Sequence, residues 1–172
     1  MTAETVLELL DTFKSAGIEV WLDGGWGVDA LLGYQSRPHD DLDVVVALAH
    51  VPHLQEVLGS RGFSLSADEI PVRFVMAQPD LGRIDFHTVT FDEGGGGVQL
   101  QPNGGTFRYP PDGFTFGAIL ERRVPCISAE VQFLCHMGYE PKEKDVHDVL
   151  LLHRRLGVRL PRAYAPFLEG GG

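Results

Sequence analysis

Residues 42–48 read Leu-Asp-Val-Val-Val-Ala-Leu, a β-branched apolar run that follows the polar loop Tyr34 to Asp40. Such a run predicts a central strand, covered on its faces by other elements. A central strand requires neighbouring strands and helices on either side of it in sequence, and the flanking periodicity supplies candidates.

Val6, Leu7, Leu9, Leu10 and Phe13 place an amphipathic helix over residues 3–15, stopped at Gly17. Ile18 to Leu22 reads as a short buried strand, broken by Gly24-Gly25, and Trp26 to Leu32 as a short helix closed by Gly33. Residues 51–60 form a second amphipathic helix ending at Gly62. Val72 to Gln78 and Arg83 to Phe91 read as strands joined by a turn at Pro79-Asp80-Leu81-Gly82. The order αβαβαββ predicts an α+β or α/β fold, a mixed β-sheet flanked by helices.

Residues 92–117 are rich in glycine and proline, with Phe107, Tyr109, Phe114 and Phe116 interleaved. The glycines alone suggest a disordered loop; the aromatics suggest short strands and turns forming a lid or rim. Ile119 to Ile127 is a further strand candidate. Ser128 is placed to cap a helix from Ala129 to about Gly138, and Pro141 to open a last helix running to Gly157. The expected organisation is a core over residues 1–127, containing the glycine-rich region 92–117, and a C-terminal helical segment over 128–172. The terminal Glu169-Gly170-Gly171-Gly172 reads as a flexible end or an appended remnant.

With 172 residues the chain can bury a sizeable core without staples. Its formal net charge of −10 argues against tight binding of nucleic acid or of an anionic membrane. That charge suits a cationic small molecule, or solubility alone. Cys126 and Cys135 make neither a zinc pattern nor a disulfide framework and read as packing residues. No basic leader and no membrane-length apolar run is evident, so a cytoplasmic location is expected.

The chemistry is concentrated around the central strand. Asp41 and Asp43, two apart, project from one face of it, with Leu42 inward. Two carboxylates that close stay ionised together only beside a cation, and oxygen ligands on a rigid strand suit Mg²⁺. Solvated acidic turns before strands are also common. Gly24-Gly25 sits between a strand and a helix, where glycines let a phosphate approach the backbone and the helix N-terminus. A plain tight turn is the other explanation. Asp85, mid-strand between Ile84 and Phe86, needs a partner, a cation or a solvent-facing position.

These residues resemble the signature of the polymerase-beta-type nucleotidyltransferase superfamily. Two longer stretches, Trp21 to Gly33 and Arg37-Pro-His-Asp-Asp-Leu-Asp43, are similar to the small lincosamide nucleotidyltransferases and to the aminoglycoside 2″-adenylyltransferases. The likeness continues at Arg83-Ile-Asp-Phe-His87, Cys126-Ile-Ser128 and Gly138 to Asp145, and so covers nearly the whole chain. The resemblance implies Mg²⁺-dependent transfer of a nucleotide, AMP from ATP, to a hydroxyl of a small molecule, with loss of pyrophosphate. It implies that Asp41 and Asp43 hold the metal, and that Asp85 completes the metal site or takes the acceptor proton. Gly24, Gly25 and the backbone near Trp26 would cradle phosphates, and Arg37, His39 and Lys144 would reach them. Lys144 is also spaced to pair with Asp148, and Asp29 to orient the loop or face solvent. Asp92, Glu93 and Glu140 are candidate attractors for an amine-bearing acceptor, and Phe107, Tyr109 and Phe114 a candidate apolar wall. The expected acceptor is a lincosamide. The alternatives are an aminoglycoside, whose polycation would demand a strongly acidic cleft, or a non-catalytic regulatory or antitoxin module of the same fold. A homodimer completing the pocket is also expected from such small cores.

Overall fold

The computed structural model describes residues 1–137, 139–160, 164 and 167. The expectations for Gly138 and for the terminal Glu169 to Gly172 lie outside these residues. Nine strands and five α-helices follow in chain order: α1 (Ala3–Ser15), β1 (Val20–Asp23), α2 (Gly24–Leu32), β2 (Asp41–Ala47), α3 (Val51–Gly59), β3 (Ser64–Glu69), β4 (Arg73–Gln78), β5 (Gly82–Phe91), β6 (Gly97–Leu100), β7 (Thr106–Tyr109), β8 (Phe114–Ile119), β9 (Arg122–Ile127), α4 (Ala129–Cys135) and α5 (Glu143–Leu156). Seven strands run β3-β4-β5-β2-β1-β9-β8, and the hairpin β6–β7 extends from the far end of β5. The sheet is mixed: β2 pairs parallel to β5 and β1 parallel to β9, while the other neighbours are antiparallel. No helix among the described residues is long and apolar enough to cross a membrane.

The apolar run of β2 is central, with β1 on one side and β5 on the other. Strand alternation divides its side chains between two faces. Leu42, Val44 and Val46 join Leu22, Ile84, Phe86 and Phe74 in the main core, against Val6, Leu9 and Phe13 of α1 and Leu54 and Leu58 of α3. Each of these leucine, isoleucine or phenylalanine side chains contributes about 1.5–3 kcal/mol relative to exposure. Asp41, Asp43 and Val45 go to the opposite face. There Val45 is roofed by a second cluster with Tyr109, Ile127 and Val131, and Asp41 and Asp43 are left at its edge. The division of β2 between these two environments creates the site.

Three local expectations change. Trp26 does not open α2; the helix starts at Gly24, capped by the Asp23 carboxylate, which accepts from the Gly24 N–H at 2.6 Å. Residues 119–127 are not one strand: β8 and β9 form a hairpin through Leu120 and Glu121, at φ 47° and 63°. A two-residue turn of that hand is usually marked by Asn or Gly, and neither is present. The glycine-rich stretch, by contrast, forms β6, β7 and most of β8, the short strands and turns its aromatics suggest. The last helix begins at Glu143 rather than Pro141, and Lys142 precedes it with its N–H given to the Asp145 carboxylate at 2.8 Å. The strand β3 has no counterpart in the sequence reading. It is an edge strand exposed along nearly its whole length, so it lacks the apolar alternation that would announce it.

Candidate active site

The register sets the geometry. Asp43 is level with Asp85 across the parallel pair β2–β5 and with Asp23 across the antiparallel pair β1–β2. Three neighbouring strands therefore place a carboxylate at one height, and Asp41 stands one step along the same face of β2. His87 is one step along the same face of β5. Ligand atoms of Asp43, Asp85 and His87 all lie within 4.8 Å of one another.

The carboxylates have unequal surroundings. Asp41 faces Arg83 at 3.3 Å on the open side. Asp85 gives one oxygen, Oδ2, to Arg73 at 2.5 Å, while its Oδ1 is buried without a hydrogen-bond partner. Burial pushes the Asp43 carboxyl up from 3.8 to about 7, and the charges of Asp23, Asp41 and Asp85 add to the rise. A raised carboxyl beside an orphaned carboxylate oxygen is a site short of positive charge. The donor set fits a hard divalent cation, with oxygens of Asp43 and Asp85 in reach of one point; Asp41 lines the same cleft but is not part of that close group.

The glycine turn stands against this row. Gly24 has φ +56°, a conformation that glycine adopts freely, and a Cβ there would collide with the Asp43 carboxylate. A Cβ at Gly25 would collide with His39 and stand 2.6 Å from Arg37 Nη2. Backbone, carboxylate and cation are thus packed as closely as two missing side chains permit. The cleft they open is about 280 Å³ and is lined among others by Gly24, Gly25, Arg37, His39, Asp41, Asp43 and Lys144.

The loop from 34 to 40 is fixed from below. Asp29, 2% exposed, accepts from the Ser36 N–H at 3.0 Å and its hydroxyl at 2.6 Å, and also contacts His39 Nε2. Asp29 therefore orients the loop rather than facing solvent. His39 is buried, with its ring over Trp26 at 4.6 Å between centroids. Trp26 is core beneath the site, with no lining role. Arg37 donates to both oxygens of Asp148 on α5, at 3.0 and 2.6 Å. Asp148 thus pairs with Arg37 and not with Lys144, which is left exposed on the cleft wall.

On the acceptor side the wall is Gln99, Gln101, Phe107 and Tyr109 from the β6–β7 hairpin, facing Leu134, Met137 and Tyr139. Phe107 and Tyr109 stand where an apolar wall was expected. Phe114 does not: it packs on Trp21 and Phe91 beneath. Asp92 caps its own turn, accepting from Gly94 and Gly96, and neither it, Glu93 nor Glu140 lines the cleft. Sequence reasoning passed over Asp23, His87 and Gln99. His87 carried a usable signal, since it lies two residues from Asp85 and so on the same strand face.

The acidic row, the glycine turn and the mixed sheet define the class: the protein is a nucleotidyltransferase. More narrowly, a sequence profile described as aminoglycoside-2″-adenylyltransferase matches residues 5–152, and the chain belongs to that family. A lincosamide resistance protein from Staphylococcus haemolyticus is 33% identical over 149 residues, covering 87% of this chain and 92% of its own. The lincosamide antibiotic adenylyltransferase LnuA, solved with lincomycin bound, superposes with a TM-score of 0.81 at 33% identity, over 88% of this chain and 96% of that one. The structure of ANT(2″)-Ia in complex with adenylyl-2″-tobramycin shares the fold, with a TM-score of 0.70 at 20% identity over 91% of each chain.

Proposed function

We propose that this enzyme transfers the adenylyl group of ATP to a hydroxyl of a lincosamide antibiotic, with Mg²⁺ and release of pyrophosphate. The observation that carries this reading is that Asp41, Asp43 and Asp85 share one sheet face, Asp43 level with Asp85, against the Gly24-Gly25 turn. Bound Mg²⁺ would neutralise charge on the triphosphate and the transferring phosphoryl group. Asp41 and Asp43 would hold the ion. Arg73 fixes Asp85 through Oδ2, so that Oδ1 is left to complete the metal site or to accept the proton of the attacking hydroxyl. Gly24 and Gly25 admit the phosphates to the N-terminus of α2, and Lys144 supplies positive charge at the rim beside Arg37, whose charge is shared with Asp148. His39 acts by holding the loop, because its ring is taken up by Asp29 and Trp26.

The acceptor follows from the wall opposite. Of the acidic side chains that line the cleft outside the metal row, Asp148 is neutralised by Arg37, while Asp23 and Asp145 each accept a backbone N–H, from Gly24 and Lys142. A polycationic aminoglycoside needs carboxylates that are free to meet it. An acceptor with few charges needs the apolar and amide groups of Phe107, Leu134, Met137, Gln99 and Gln101. The 33% identity to lincosamide enzymes, against 20% to ANT(2″)-Ia, supports the same choice. The test is pyrophosphate release from Mg-ATP with lincomycin and, separately, with tobramycin. Turnover is expected with lincomycin, and none with Asp41→Asn or Asp43→Asn in folded protein. Activity retained in either variant overturns the metal assignment, and a preference for tobramycin overturns the acceptor.

A further inference from the structure

His87 stands beside Asp43 and Asp85, and an imidazole in that place has two mutually exclusive uses. A ring nitrogen with a bare lone pair would ligate the cation. A ring nitrogen that carries hydrogen would donate to an oxygen instead. The choice is made at Nδ1 of the ring, by Gln99 on β6, which is 7% exposed.

The Gln99 amide has three neighbours. Its Nε2 is 3.3 Å from the Val72 carbonyl oxygen and 3.3 Å from His87 Nδ1, and its Oε1 accepts from the Tyr109 hydroxyl at 2.9 Å. A backbone carbonyl can only accept, so the NH₂ end of the amide must face Val72. The same NH₂ group faces Nδ1, which must then accept. A neutral imidazole has one N–H, so that hydrogen is on Nε2. Tyr109 locks the far end. It is 1% exposed, and burial holds its hydroxyl protonated far above the ordinary range, so it remains a donor to Oε1. Turning the amide over would set Oε1 against the Val72 oxygen and leave the phenol without its acceptor.

We propose that Gln99 and Tyr109 hold His87 as the Nε2–H tautomer, which makes it a hydrogen-bond donor to an oxygen of the transferred phosphate and not a ligand of the metal ion. The donor role rests on the reading of the cleft as a nucleotidyl-transfer site; the tautomer does not. The consequence is a cation site built of oxygen alone, the chemistry Mg²⁺ prefers, with a neutral donor fixed where negative charge accumulates during transfer. No reorganisation is needed at that moment, because the ring is already oriented by a buried amide.

Three measurements test it. Long-range ¹H–¹⁵N spectra of the metal-free protein should show His87 with Nδ1 unprotonated and Nε2 protonated, and Gln99→Leu should mix the two tautomers while the other histidines keep their signals. With Mn²⁺ as the probe, pulsed electron paramagnetic resonance should show no directly coordinated nitrogen, and Mn²⁺ affinity should be unchanged by His87→Leu. In turnover, His87→Leu should lower kcat by about 100-fold, the usual loss for one such donor. His87→Gln, whose amide NH₂ reaches the neighbourhood of Nε2, should recover at least about tenfold of that loss. An Nδ1–H tautomer in the wild type, a bound nitrogen lost in His87→Leu, a fall in Mn²⁺ affinity, or equal impairment of both variants overturns the proposal. If the wild type keeps the tautomer but releases no pyrophosphate with any acceptor, the transfer reading fails and the donor role fails with it.

Discussion

Asp43→Asn should make the metal-free protein more stable while destroying its activity. Burial raises the Asp43 carboxyl from 3.8 to about 7. Ionising it within the fold therefore has a ceiling cost of about 4 kcal/mol, at ~1.36 kcal/mol for each tenfold change in proton affinity. Asp43 borders the open cleft, and water there screens the charge, so about 1–2 kcal/mol is the recoverable part. The sign follows from linkage. The folded state binds this proton more tightly than the unfolded chain does, so stability from this group is complete below about pH 4. It declines as pH rises and is lowest above about pH 7. Asparagine keeps the shape and has no charge to bury. In thermal unfolding without metal at about pH 8, the variant should melt about 2–8 °C above the wild type, given ~2–4 °C per kcal/mol for a chain of this size. The gap should narrow as pH falls below about 7 and close near about pH 4, where the wild-type carboxyl is protonated in the unfolded chain as well. Mg²⁺ should raise the melting temperature of the wild type and leave the variant unmoved. A variant that melts below the wild type at about pH 8, or a gap that ignores pH, would refute the claim that uncompensated charge is stored at this position.

Other consequences are open to direct measurement. Gly25→Ala drives a Cβ into His39 and towards Arg37. It should destabilise by about 1–3 kcal/mol and raise KM for ATP, whereas a normal KM would show that the turn does not meet the nucleotide. Arg37→Met strands Asp148, which is 2% exposed, and should cost about 3 kcal/mol in urea unfolding. Adding Asp148→Leu should recover most of that loss, and additive losses would show the two residues to be uncoupled. Leu120→Asn with Glu121→Gly relieves two left-handed residues in the β8–β9 turn and should add about 1 kcal/mol, read as a higher melting temperature with unchanged turnover.

What sequence reasoning reached, and what it missed, divides along a physical line. The central strand, the helix faces and the Asp41/Asp43 pair are local patterns. Their spacing alone puts Leu42, Val44 and Val46 on one face and the acids on the other, because strand geometry leaves no alternative. The union of Asp43 with Asp85 is different in kind, since forty-two positions separate them and only the β2–β5 register makes them level. A shift of one residue in that register would send Asp85 to the core face in place of Phe86 or Ile84, at the cost of burying an unpaired charge. The apolar pattern on both strands excludes it, so this contact was implicit in sequence without being readable from either strand alone. Gln99 and Asp23 were not readable in any sense. Gln99 is one amide in a glycine-rich segment, and what makes it matter is the convergence of the Val72 carbonyl, the Tyr109 hydroxyl and the His87 ring around its side chain. Asp23 looked like the end of a strand, and it becomes part of the charged row only because β1 lies antiparallel to β2 at Asp43. Metal-holding acids announce themselves by type and spacing. The groups that orient them are ordinary residues whose roles arise from position, so the first can be sought in a sequence and the second only in a fold.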